Sequence, residues 1–156
     1  MSKDLLRHAV ATLAYRGGKT LRGVADEFGS YKADRTTRTP GEILAHMGDL
    51  LDWVLSIARG KQEWHNSPPL PWADGVARFH RGMQAFDDYL ASDAPLGAPV
   101  EKLFQSAIAD ALTHTGQLAM LRRMSGHPMR GENYFRADIA SGRVGPDQTP
   151  PKVEFD

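Results

Sequence analysis

Apolar residues recur every three or four positions in four separate stretches of the chain, and segments rich in proline or glycine divide these stretches from one another. That spacing winds one apolar face along an α-helix, which must then bury that face against another element. Leu6, Val10, Leu13, Leu21, Val24 and Phe28 set the first face and predict a helix over about 4–28. Gly17 and Gly18 fall inside it; each costs about 1 kcal/mol relative to Ala and admits a close neighbour. The polar run 29–38 reads as a loop.

The second helix has the clearest start. Thr39 supplies an N-cap hydroxyl, Pro40 takes the first helical position and Glu42 the third, the pattern of a capping box. Ile43, Met47, Leu50, Leu51, Val54 and Ile57 then form one stripe that ends near Gly60. Pro68, Pro69 and Pro71 prevent helix through 61–71, and Trp64 and Trp72 bracket that segment as expected anchors. A third helix is predicted over about 72–91 on Val76, Phe79, Met83, Phe86 and Leu90. Pro95, Gly97 and Pro99 break the chain before a fourth, over about 100–125, which Gly126 and Pro128 stop. Beyond it, 130–141 is expected to form one short helix, and 142–156 an extended tail packed on the body.

Four amphipathic helices without period-2 strands imply an all-α four-helix bundle, and 156 residues suit one domain spanning 1–156. The first and third connections, near ten residues or fewer, favour antiparallel neighbours. Lys plus Arg number 19 against 19 Asp plus Glu, so no basic field is available to hold nucleic acid. The absence of cysteine excludes disulfides, a thiolate nucleophile and Cys-based zinc sites, and it fits a reducing compartment. No apolar run reaches membrane-spanning length, and Ser2, Lys3 and Asp4 do not begin a secretion signal. A cytoplasmic protein with neither nucleic acid nor membrane as partner is expected.

The six histidines separate on a helical wheel at 100° per residue. His114 falls in the middle of the buried stripe set by Leu103, Ala107, Ala111, Leu118 and Leu121. Asp110, one turn earlier, lies about 40° to one side. A carboxylate on a buried face needs a cation, a proton or hydrogen-bond donors. Ala107, Ala111 and Gly116 leave space around the pair. His46 lies at the edge of the second stripe, with Glu42 and Asp49 one turn either side, and His80 flanks the third stripe. His8, His65 and His127 are expected in solvent.

One reading brings His46 across the interior to meet Asp110 and His114, so that two imidazoles and a carboxylate hold a divalent metal. Water at such a centre ionises near neutral pH. The other reading makes Asp110 and His114 a hydrogen-bonded core pair, with His46 at a boundary. Gln117 shares the wheel angle of Asp110 and either bonds a metal-held water or ties two helices. Trp53 shares the edge of His46, for helix packing or as a pocket wall. Arg122, Arg123, His127 and Arg130 gather where the fourth helix ends; they complement its negative dipole end or bind an anion. Ser106 has no triad geometry, and 142–145 lacks the context of a phosphate loop.

The segments TPGEILAHMGDLLDW (39–53) and DALTHTGQLAMLRR (110–123), with the Gly126-His127-Pro128 turn, make the chain resemble the DinB-like superfamily over nearly its whole length. The resemblance implies a down-up-up-down four-helix bundle, often a homodimer, with a divalent metal held by three side chains. A second-helix histidine of the family matches His46. Of the family's His-x-x-x-His pair, the second matches His114 and the first falls on Asp110, a departure; aspartate also ligates zinc, nickel, iron or manganese. Some relatives transfer a low-molecular-weight thiol such as bacillithiol, or isomerise with mycothiol. The resemblance therefore implies a metal-dependent hydrolase or thiol transferase whose partner is a small molecule, and the wheel angle of Gln117 makes it the candidate to assist a metal-held water or thiolate. The alternative is a non-catalytic helical homodimer serving as a stress-associated scaffold or small-molecule binder.

Overall fold

Both of the first two helices begin on a hydroxyl. Ser2 accepts from the Leu5 N–H and starts the first helix, Lys3–Leu21, in a computed structural model that describes residues 1–156. Thr39 accepts from Glu42 N–H while the Glu42 carboxylate accepts from Thr39 N–H at 2.7 Å, so the expected capping box opens the second helix, Pro40–Ala58. The third runs Trp72–Ala91. The fourth is one rod in three pieces: an α-turn Val100–Leu103, a π-turn Phe104–Ile108 and an α-stretch Ala109–Met124. The wide turn carries one extra residue and lets both Ala107 and Ile108 bury fully. The chain is all-α apart from one two-residue strand pair, and no helix is long and apolar enough to cross a membrane.

The first helix stops at Leu21, not near Phe28. The chain leaves the helix at Arg22, and Asp26–Ser30 forms a 3-10 helix that buries Phe28 edge-on against Trp72, ring centroids 5.2 Å apart. Val24 and Phe28 keep the helical phase because they reach the same core, not because the helix continues. Trp72 is an anchor as expected, whereas Trp64 stays 41% exposed.

Twenty-six buried residues form one cluster to which all four helices contribute. The first helix packs on the third and fourth, and so does the second. Sequence neighbours are therefore not the main partners in either the first pair or the last, against expectation. The links explain why. Residues 22–39 cross through the 3-10 helix, which lies on the second and third helices. Residues 92–99 cross the end of the second helix, where Gly97 N–H donates to the Ala58 carbonyl at 2.7 Å. A Cβ on Gly97 would stand 2.4 Å from the Gly60 Cα, so only glycine fits that crossing. Gly17 meets its expectation: an added Cβ would stand 3.0 Å from the Phe79 ring.

The short helix expected over 130–141 is absent. Gly131–Glu132 pairs antiparallel with Glu154–Phe155, and only Tyr134–Arg136 makes a 3-10 turn, capped by Asn133. Glu132 and Tyr134 both reach the first helix, and residues two apart share a side only in extended chain. The Glu132 carboxylate accepts from the Tyr15 hydroxyl and from Lys19 Nζ, the latter at 2.9 Å. The Tyr134 ring lies edge-on to Tyr15 and 4.3 Å from the Arg16 guanidinium. The tail packs on the body as expected, with Val144 fully buried.

Arg122 is buried and donates to the carbonyls of Lys19, Thr20, Arg22 and His127, joining the ends of the first and fourth helices. Burial, with Arg22 nearby, holds its pKa below the usual arginine range. Arg123 donates to the Met129 carbonyl and Arg130 pairs with Asp156, so the basic cluster caps backbone and tail.

Candidate metal centre

His46 projects from the middle of the second helix, and Asp110 and His114 from the fourth, just past the π-turn. His46 Nε2 lies 3.4 Å from Asp110 Oδ2, and His114 Nε2 lies 3.5 Å from that same oxygen. One ligand atom from each of the three lies within 4.8 Å of the other two. The two imidazoles stand at 86° to each other, centroids 4.8 Å apart. The expected meeting across the interior is therefore present, with one amendment: the Asp110 side chain is 42% exposed and sits at the edge of the buried stripe, while His114 is at 11%.

Gln117 supplies a detail that wheel geometry missed. Its amide oxygen lies 2.8 Å from His114 Nδ1. An amide oxygen only accepts, so Nδ1 carries a hydrogen, and in the tautomer with no second ring hydrogen Nε2 presents a lone pair to Asp110. A second lone-pair donor, the carboxylate oxygen, faces it at 3.5 Å. Two acceptors pointing at one another repel unless a proton or a cation stands between them. Donors about 2.0–2.1 Å from a tetrahedral ion are spaced about 3.3–3.4 Å from each other, close to the two separations from Asp110 Oδ2. The three side chains can hold a metal ion. Gln117 spends its oxygen on orienting a ligand within its own helix.

A cavity of about 710 Å³ borders His46, His114 and Gln117. Ile43 and Leu121 form its inner wall, Met120 and Met124 an outer wall that is 63% and 54% exposed, and Asp34 and Arg38 of the first link its rim. A smaller cleft of about 410 Å³ lies between His46 and Asp110 on one side and Leu50, Trp53 and Trp64 on the other. Trp53 is thus a cleft wall, edge-on to Trp64 at 5.6 Å, and Trp64 is edge-on to His46 at 5.7 Å. The Trp53 indole N–H is buried without a partner. Ala107 and Ala111 pack in the core and Gly116 faces open space, so the room beside the triad comes from neither, but from the link residues and the long Met side chains.

Other sequence candidates go elsewhere. Glu42 is consumed by its cap. Asp49 accepts from Ser67 N–H and hydroxyl and from Arg78 at 2.7 Å; burial alone would raise its pKa, but these donors outweigh it and hold the carboxyl below its ordinary range. His8 and His65 are exposed as expected. His127 is not: it is half-buried against Phe28 and Ser125. His80 lies over Phe79, its Nδ1 buried without a partner, and burial pushes its pKa down. Ser106 bonds the Leu103 carbonyl in its own helix. The ionic cluster of Tyr15, Lys19, Glu132 and Glu154 had no sequence signal beyond the polar residues themselves, and it packs on the first helix without lining the cavity beside the triad. Among models of known protein families, curated proteins and solved structures, none matches the chain.

Proposed function

We propose that this chain is a divalent-metal-dependent enzyme of the DinB-like type, a four-helix bundle that acts as a hydrolase or a low-molecular-weight-thiol transferase. The observation that carries the reading is the convergence of His46 Nε2 and His114 Nε2 on one oxygen of Asp110, at 3.4 and 3.5 Å, beside a cavity large enough for a small molecule. The donor set, two imidazoles and a carboxylate, suits zinc, nickel, iron or manganese. A divalent ion there supplies Lewis acidity toward a water or a thiol.

The chain's own groups do the rest. Gln117 fixes the His114 tautomer so that Nε2 remains a lone-pair donor. Trp64 packs edge-on against His46 and holds its ring toward Asp110. Ile43 and Leu121 keep the inner wall of the cavity apolar, which strengthens any electrostatic contact made beside it. With no cysteine in the chain, the thiol of a transferase reaction comes from a small-molecule co-substrate. A homodimer in the cytoplasm completes the proposal.

Elemental analysis of protein purified without an affinity tag is expected to give about one divalent metal per chain, and His114→Ala to lose it. Metal at a hundredfold excess over its Kd should add about 2.7 kcal/mol to stability, and EDTA should remove that gain. Equal and negligible metal in both proteins, with EDTA leaving the Tm unchanged, would overturn the reading in favour of a non-catalytic homodimer acting as scaffold or small-molecule binder.

A further inference from the structure

The polar groups that line the larger cavity differ in what they have left to offer. Asp34 Oδ1 already accepts from the Thr36 N–H and hydroxyl, each at 2.9 Å, and these bonds hold its carboxyl below the ordinary range. The Thr37 hydroxyl is engaged with the backbone N–H and carbonyl of Asp34. Gln117 uses its oxygen on His114, and no partner takes its amide hydrogens. Arg38 makes no ion pair with any carboxylate; Glu42, the nearest by charge effect, is bound in its cap. Two free sets of donors, a guanidinium and an amide, therefore border a space whose apolar walls are Ile43, Met120, Leu121 and Met124 and which His46 and His114 also line. The one carboxylate on these walls, Asp34, has an Oδ2 without a hydrogen-bond partner, and Arg38 makes no ion pair with it.

The geometry points to a ligand with the complementary chemistry: a small amphipathic carboxylate, its anionic head on Arg38 and the Gln117 amide and its hydrocarbon body along the methionine wall. A planar guanidinium pairs with a carboxylate through two parallel hydrogen bonds, and a single cation suits a monoanion better than a phosphate dianion. Unbranched methionines adapt to alkyl chains of varied shape. The cavity volume, about 710 Å³, lies in the range that encloses a small organic molecule. This assignment deepens the reading of the triad by naming its substrate class, yet it stands on the cavity's own lining.

Calorimetric titration with octanoate and with octan-1-ol, in EDTA, tests it. Octanoate should bind one per chain and more tightly than octanol. Arg38→Gln should weaken octanoate about tenfold and leave octanol unchanged, while Met120→Asp should weaken both. Both positions are exposed, so folding is checked by circular dichroism and expected to be retained. Octanoate binding that ignores Arg38→Gln, or no saturable binding by wild type, overturns the assignment whatever the metal analysis gives. Arg38-dependent octanoate binding in a protein that takes up no metal upholds it and sinks the metal reading alone.

Discussion

Glu132 and Asp110 are both carboxylates set among helix side chains, and they meet opposite company. The Glu132 side chain is fully buried and receives hydrogens from the Tyr15 hydroxyl and the Lys19 ammonium. The Asp110 side chain is 42% exposed and faces two imidazole nitrogens, the ring of one held by Gln117. Charge at the first place is neutralised by the protein; at the second it is left for something else to neutralise. A buried, fully bonded ion pair is costly to break from one side. A half-exposed carboxylate between two imidazoles contributes little to folding and is available for a cation. Buried charge is thus satisfied on the first helix, and the candidate metal centre stands apart from it between the second and fourth.

The largest effect should come from breaking the satisfied cluster. Glu132→Gln removes the charge that balances Lys19, leaving the 2.9 Å ion pair to Glu154, and leaves one acceptor oxygen where the Tyr15 hydroxyl and the Lys19 ammonium each had their own. Lys19 shows how much is at stake: burial pulls its pKa down, yet the bonds to Glu132 and Glu154 carry it above its ordinary value. Urea unfolding is expected to show a loss of about 3 kcal/mol, the scale for orphaning one partner of a buried pair. An unchanged midpoint would mean that the tail is held by Val144 and apolar contact alone, and the contrast would lose its first half.

A smaller effect should appear with pH near the tail. Burial, with Arg22 adding repulsion, pushes the His80 pKa below 6.5, and a backbone contact at Val144 opposes this only in part. The unfolded chain therefore takes up this proton at a higher pH than the folded one. Stability from this group is complete above about pH 6.5 and falls as the pH drops through the window beneath it. His80→Phe, which takes up no proton, should flatten the decline seen between pH 7 and 5 in thermal melts. An identical slope in the variant would assign that decline to other histidines.

These two regions were not equally legible in the sequence. The second, third and fourth helices were, because a capping box, prolines and Gly126 are local signals and the apolar stripe fixes which side is inward. That inward phase is also what placed His114 and, near its edge, Asp110 and His46. The end of the first helix was hidden because Val24 and Phe28 continue its phase while leaving its axis. The Glu132 cluster was hidden because it depends on a strand pairing between residues 131–132 and 154–155, which no local pattern announces. The cavity was hidden for a related reason: its rim comes from Asp34 and Arg38, on a link whose path is set by the packing of Phe28 on Trp72. Gln117 was legible as a candidate but not in its role, since a wheel gives the angle of a side chain and not the rotamer that carries its oxygen to Nδ1.

The smallest effect is the sharpest test of the contrast. Asp110→Asn keeps the volume and exchanges an acceptor for an amide whose hydrogens can be donated to His46 or His114 Nε2. That turns a facing pair of lone pairs into a hydrogen bond, worth about 1 kcal/mol at most, and the half-exposed site loses little solvation in return. In EDTA the variant should unfold within about 0.5 kcal/mol of wild type, on the scale of an ordinary surface substitution. With metal added, wild type should gain stability and Asp110→Asn should not. The same chemical change, carboxylate to amide, would then cost several-fold more at position 132 than at position 110. If Asp110→Asn in EDTA is instead as damaging as Glu132→Gln, the Asp110 carboxylate is holding the helices together through protonated imidazoles, and a structural ion pair replaces the metal centre.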